Sequence, residues 1–274
     1  MLAHSLVTAP GATPARWALF LHGILGQGNN WRGFARRLVE ARPAWGAVLI
    51  DLRAHGRSLD APPPDSGREA ARDLSRVPAA RAADVVVGHS LGGKVALHLL
   101  DERDGAISHA VIVDSNPGAR PGGRGSEATR DIVEQLRASR GPFPDRASFV
   151  AAFTSRGHAR PVAEWLAMNL EARDGGWWLR VDPERIHALL VDHLATDLWH
   201  VVERPPGRAR LTMVVGGASS VFDDADRERL RDACARSDGR SREVTIEGAG
   251  HWVHVDAPDA LTSIVLGAID DAGT

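Results

Sequence analysis

Residues 84–100 constrain this chain more than any other stretch. Asp84-Val85-Val86-Val87 is a short β-branched run suited to a buried parallel strand, and Leu91, Val95, Leu97, Leu99 and Leu100 follow at helical spacing. Between them lies Gly88-His89-Ser90-Leu91-Gly92, a G-x-S-x-G motif. The order is strand, tight turn, helix, the context in which such a motif lifts a serine hydroxyl clear of a sheet. Glycines on both sides of Ser90 let the backbone turn sharply and leave room for the helix to approach the strand.

A serine hydroxyl is a weak nucleophile at neutral pH, so it needs a base, an acid to orient that base, and donors for an oxyanion. Gly248-Ala249-Gly250-His251-Trp252 follows a strand-like run at 242–246, which places His251 on a loop at the carboxyl end of a strand, as Ser90 is. His251 is therefore the expected base. His254 is its competitor, and its position reads better as local packing. One oxyanion donor is the N–H of Leu91, directly after the serine at a helix start, where amides lack intrahelical partners. The second is the N–H of Ile24, in the loop His22-Gly23-Ile24-Leu25-Gly26 that follows the early strand 17–21. His22 reads as a residue that fixes this loop and, with His89, borders the substrate site.

These segments resemble the α/β-hydrolase superfamily, and within it the small bacterial esterases of the YbfF type and their mitochondrial relatives. The resemblance is carried by His22-Gly23-Ile24-Leu25-Gly26 with Asn30-Trp31, by residues 51–58 (Asp51-Leu52-Arg53-Ala54-His55-Gly56-Arg57-Ser58), by Gly88 to Lys94, and by Gly248 to His254. It implies an α/β fold with a mainly parallel sheet flanked by helices and an inserted helical lid. Most members place the catalytic acid shortly after a glycine that ends the strand here read at 211–215, yet those positions hold Ala218, Ser219 and Ser220. Two carboxylates keep the order serine, acid, histidine. Asp114 ends the apolar run 110–113, and the YbfF-type resemblance puts the acid there. Asp223 is the alternative, although Asp223 and Asp224 precede a helical pattern and look like N-cap residues.

Strand-like runs at 2–7, 17–21, 47–51, 84–87 and 109–113 alternate with helical patterns at 31–41 and 68–76. Two breaker-rich segments, 116–125 and 203–209, bracket an insertion whose stretches 127–140, 146–153, 162–170 and 183–198 read mostly as helices. The expected organisation is a hydrolase core of residues 1–115 and 206–274 with a lid at 116–205. Phe149, Phe153, Trp165, Met168, Leu190, Leu194 and Trp199 in the lid, and Trp252 beside the base, are expected to line an acyl pocket. His187, His193 and His200 are six and seven residues apart, which puts them on drifting helix faces without a compact ligand pair, so no metal is expected. Asp51, His55 and Ser58 read as a loop-shaping group.

With 25% charged and 43% hydrophobic residues, 274 residues suffice for one α/β core and an insertion. Thirty-three basic residues against 35 acidic ones leave no field that would draw in nucleic acid or an anionic membrane. Lys94 is the only lysine, tyrosine is absent, and Cys234 stands alone, which excludes an intrachain disulfide. Without a signal-like N-terminus or a long apolar run the chain is expected in the cytoplasm, as a monomer or a homodimer. The expected chemistry is hydrolysis of a small-molecule ester or acyl thioester through Ser90, Asp114 and His251, with no cofactor. Lyases and carbon–carbon bond hydrolases on the same fold, non-catalytic binding proteins and perhydrolases are the alternatives. The first of these would require arginines such as Arg124 or Arg160 buried near Ser90 to hold substrate carboxylates.

Overall fold

The computed structural model describes residues 1–102 and 107–273. Its strands are β1 (His4–Val7), β2 (Arg16–Leu21), β3 (Trp45–Ile50), β4 (Ala83–His89), β5 (His109–Val113), β6 (Leu170–Arg173), β7 (Gly176–Leu179), β8 (Arg210–Gly216) and β9 (Ser241–Ile246). The helices are α1 (Arg32–Ala41), α2 (Gly67–Leu74), α3 (Pro78–Arg81), α4 (Leu91–Glu102), α5 (Glu127–Ala138), α6 (Arg146–Thr154), α7 (Arg160–Leu166), α8 (Pro183–Ala195), α9 (Trp199–Glu203), α10 (Asp224–Ala235), α11 (Val253–Asp256) and α12 (Pro258–Gly273). Seven strands form one sheet in the order β1-β3-β2-β4-β5-β8-β9, with β1 antiparallel to β3 and the other pairs parallel. This is the α/β-hydrolase fold that the resemblance implied, with the mainly parallel sheet expected from the alternation of strand and helix patterns.

The period of two along each strand divides the core. Leu19 and Leu21 join Val86 and Ile112 on one face, under α2, α4 and α10, whereas Ala18 and Phe20 join Val85 and Val87 on the other, under α1 and α12. Helix α4 is buried from Leu91 through Leu100. It lies against β4 and β5 on one side and α2, α8 and α9 on the other, which is why its sequence is apolar nearly all round. Strand order reverses at β2 and β4, whose neighbours β3 and β5 lie on opposite sides. Their C-terminal loops carry Ile24 and Ser90, so both open onto the crevice where such sheets hold ligands.

Between β5 and β8 the chain builds a third apolar cluster of its own, centred on Phe149, Phe153, Val133, Leu136, Leu166 and Leu189. Three helical expectations in this region end early. The pattern at 127–140 stops at Ala138, ahead of Gly141-Pro142. The stretch 162–170 becomes α7 followed by a 3-10 turn, and Leu170 already belongs to an antiparallel hairpin, Leu170–Arg173 with Gly176–Leu179. Asp174-Gly175 at its tip is a hairpin signal that the helical periodicity of the flanks obscured. Finally, 183–198 breaks after Ala195, and Asp197 starts α9 by accepting from the N–H of Trp199 at 3.1 Å. Leu198, Trp199, Val201 and Val202 then pack with the sheet's first face rather than with the third cluster.

Candidate active site

Ser90 sits between β4 and α4 at φ +52°, a left-handed conformation that a non-glycine residue adopts at a cost of about 1–3 kcal/mol. Its neighbours explain how the strain is held. A Cβ on Gly88 would lie 2.2 Å from the Gly92 carbonyl, and one on Gly92 would lie 2.5 Å from that of Leu21, so helix and strands touch backbone to backbone. The N–H of Ser90 donates to Val113 at 3.0 Å and its carbonyl accepts from the Ser115 hydroxyl at 2.7 Å. The turn is thus fastened to the end of β5.

Asp114 follows β5 directly, fully buried and itself at φ +44°. One carboxylate oxygen accepts from the N–H of Gly216 at 3.0 Å, and the other from the Ser219 hydroxyl at 2.6 Å and from Nδ1 of His251 at 2.7 Å. Ser219 occupies the region after β8 where most relatives of this fold carry an acid. Here its hydroxyl reaches over to the carboxylate supplied by β5. Nδ1–H donation to Asp114 leaves Nε2 of His251 as the proton acceptor, the tautomer a general base needs. Asp223 is elsewhere engaged: it N-caps α10 by accepting from the N–H of Asp226 at 2.9 Å and pairs with Arg124. His254 packs between Trp31 and His89, at ring distances of 4.9 Å to each, and burial holds its pKa down to about 4.

Two neutral histidines shape the loop that carries Ile24. His22 donates from Nδ1 to the Gly23 carbonyl (2.7 Å) and accepts at Nε2 from the N–H of Leu52 (3.0 Å). His55 repeats the pattern, donating to Arg53 (2.8 Å) and accepting from the N–H of Leu25 (2.9 Å). Asp51 and Ser58 complete the support by binding Gly28 N–H (2.8 Å) and the Asp51 carbonyl (2.7 Å). His89 donates from Nε2 to the carbonyl of His251 at 2.9 Å and so steadies the His251 loop. Burial lowers the pKa of His22 to about 4 and that of His55 to about 3. In the unfolded chain these rings take up protons near 6.5, so below that pH the unfolded state holds more protons. Their contribution is present in full above about pH 6.5 and is lost as pH falls toward 4 and 3. Urea denaturation should therefore show stability falling by at least about 2 kcal/mol between pH 7 and 5. A flat profile would mean that these rings are not held neutral.

Ser90, His251, His22, His89 and Trp252 border one cavity of about 520 Å³, within the range of small-molecule sites. Its apolar wall includes Ile24, Leu25, Trp31, Ile132, Val162 and Trp165, and Trp165 meets Trp252 edge to face at 4.7 Å. Ile132 and Val162 were missed because a single apolar residue on a helix does not reveal which side faces a cavity. Four expected lining residues are elsewhere. Phe149 and Phe153 pack on each other at 4.6 Å inside the third cluster, where both are fully buried. Met168 is 42% exposed on the 3-10 turn after α7, and Trp199 is buried against the sheet's first face beneath Arg229. Leu190 and Leu194 border a second, smaller cavity of about 50 Å³ that also touches Ser90, Leu91, Ile24 and His251.

The histidines considered for metal do not converge: His187 lies near Glu134, His200 near Asp101, and the described residues hold no cluster of three or more metal-binding side chains. Among the described residues no helix is long and apolar enough to cross a membrane.

Known proteins resemble this chain in sequence and in fold. The chain is 28% identical to the sn-1-specific diacylglycerol lipase ABHD11 of Mus musculus, over 96% of this chain and 85% of that protein. It is 26% identical to esterase YbfF of Escherichia coli (strain K12), over 92% of each. Among solved structures it resembles a marine microorganism esterase with a TM-score of 0.79 at 22% identity, over 97% of this chain and 98% of that one. The profile of the alpha/beta hydrolase family matches residues 18–264, a span that holds the elbow at Ser90 and the His251 loop, and the chain belongs to this family.

Proposed function

We propose that this protein is a serine hydrolase that cleaves a carboxylic ester or acyl thioester through an acyl-enzyme, with Ser90 as nucleophile, His251 as base and Asp114 as the acid that orients it. The observation that carries the reading is the 2.7 Å contact between His251 Nδ1 and the buried Asp114, on the same cavity as the strained Ser90. In this mechanism His251 Nε2 takes the Ser90 proton as Oγ attacks the carbonyl carbon. The amides of Leu91 and Ile24 receive the oxyanion, and His251 returns the proton to the departing alkoxide or thiolate. Water, deprotonated by the same nitrogen, then attacks the acyl-enzyme and frees Ser90. Residues 116–205 serve as a lid, with Ile132, Val162 and Trp165 supplying the apolar wall.

A lyase or carbon–carbon bond hydrolase of this fold would need a cation facing a substrate carboxylate. Arg124 and Arg160 are mostly exposed and paired with Asp223 and Glu164; Arg120 is buried and borders the small cavity beside Ser90, but its guanidinium is held by Asp226 and the Val221 carbonyl, which favours the hydrolase reading. An alkyl fluorophosphonate should add one label per chain, mapped by peptide mass to Ser90. A label only elsewhere, or none on a preparation that turns over esters, would overturn the assignment.

A further inference from the structure

Lys94 stands one helical turn after Ser90, 2% exposed, and its ammonium donates to three backbone carbonyls: Gly118 at 2.9 Å, His193 at 2.5 Å and Thr196 at 2.8 Å. Three donors meet three acceptors, so the charge is fully hydrogen-bonded. The acceptors come from both connections between the sheet and the inserted segment. Gly118 lies on the way out from β5, whereas His193 is in the last turn of α8 and Thr196 is its C-cap, where carbonyls lack intrahelical partners and the helix dipole favours a cation. The two connections are also joined to each other, by Arg120 N–H to the Leu194 carbonyl (2.6 Å) and Leu198 N–H to that of Pro117 (2.9 Å). Lys94 is thus the point at which this joint is tied to the nucleophile helix.

The residue type supports a specific role. Every other basic side chain among the 33 is arginine, yet this position keeps the one lysine. A tripod of N–H donors can converge on three carbonyls, which a planar guanidinium fork cannot do. The last turn of α8 also forms a wall: Leu190, His193 and Leu194 border the 50 Å³ cavity beside Ser90, together with Ile24, Leu91, Arg120 and Lys94 itself. At about 10–15 Å³ for each water-sized atom, that volume admits roughly four heavy atoms.

We propose that Lys94 is a positioning residue that sets substrate specificity: by tying the last turn of α8 to the nucleophile helix it holds the small cavity at a size that accepts only a short substituent on the scissile carbonyl, the larger one occupying the main cavity. This rests on the serine-hydrolase reading. The start of α8 has its own anchor, Arg185 on Asp65 at 2.7 Å and on the Ala61 carbonyl at 2.6 Å, so loss of Lys94 loosens the last turn without freeing the helix.

1-Naphthyl acetate and 1-naphthyl hexanoate share a large alcohol, so the acyl group must enter the small cavity. The parent should prefer the acetate by about 30-fold or more in kcat/KM, and Lys94→Met and Lys94→Arg should each narrow that ratio by about tenfold, mainly through a lower KM for the hexanoate. Arg185→Gln, which weakens an anchor in the first turn of the same helix, should keep the parent ratio. Folded Lys94 variants with the parent ratio, equal narrowing in Arg185→Gln, or a parent that takes both esters alike would each overturn the proposal. Failure of the serine-hydrolase reading is recognised separately, by absence of fluorophosphonate labelling at Ser90 in the parent.

Discussion

Ser90→Ala should lower kcat by about 10⁴- to 10⁶-fold on any ester the parent hydrolyses, with an unchanged circular dichroism spectrum. Removing Oγ deletes the atom that forms the acyl-enzyme but leaves the amides of Leu91 and Ile24 and the rest of the cavity, so the residue of activity comes from oxyanion binding alone. Alanine inherits the same φ of +52°, and the backbone contacts of Ser90 with Val113 and Ser115 involve only its N–H and carbonyl. The turn should therefore survive the change. Ser126 and Ser220 also border the cavity, but among these three Ser90 alone stands at the start of α4. Retention of more than a tenth of the parent kcat would mean that another group attacks the carbonyl.

Asp114→Asn should cost about 10²- to 10⁴-fold in kcat with little change in KM. The Asp114 oxygen facing His251 accepts two donors, the Ser219 hydroxyl and Nδ1–H, while the other accepts the N–H of Gly216. An asparagine with its NH₂ toward His251 would oppose the Nδ1–H and favour the Nε2–H tautomer, which cannot take a proton from Ser90. The flipped amide would set NH₂ against the N–H of Gly216. Either orientation loses a hydrogen bond in a fully buried place, so some loss of stability accompanies the loss of rate. Asp223→Asn should change kcat by less than about threefold, because asparagine caps a helix about as well as aspartate. Near-normal turnover in Asp114→Asn together with collapse in Asp223→Asn would transfer the acid's role to Asp223.

The elbow around Ser90, the alternation that builds the sheet and the cap at Asp223 were legible in the residues because each depends on neighbours within a few positions. A β-branched run, flanking glycines and a carboxylate ahead of a helical pattern act locally, and distant contacts reinforce them. The partner of His251 was of another kind. Asp114 lies 137 residues away, and the choice between it and Asp223 rested on the resemblance and on the N-cap setting of Asp223 until the strands set β5 next to β8. That pairing brings Gly216 and Ser219 onto the carboxylate and leaves Asp223 at the start of α10. Phe149 and Trp165 show the same division. Both are aromatic residues on short helices, indistinguishable by spacing, and only the packing of α5 to α8 decided that one fills the interior of the insertion and the other faces the cavity. Lys94 read as an isolated basic residue for the same reason, since its three acceptors lie 24 to 102 positions further on and converge only when both connections cross above α4. Local sequence specified the elements and the turn that strains Ser90. Which side chains meet at the carboxyl ends of those strands depended on long-range burial, which assigns neighbours by fit in three dimensions.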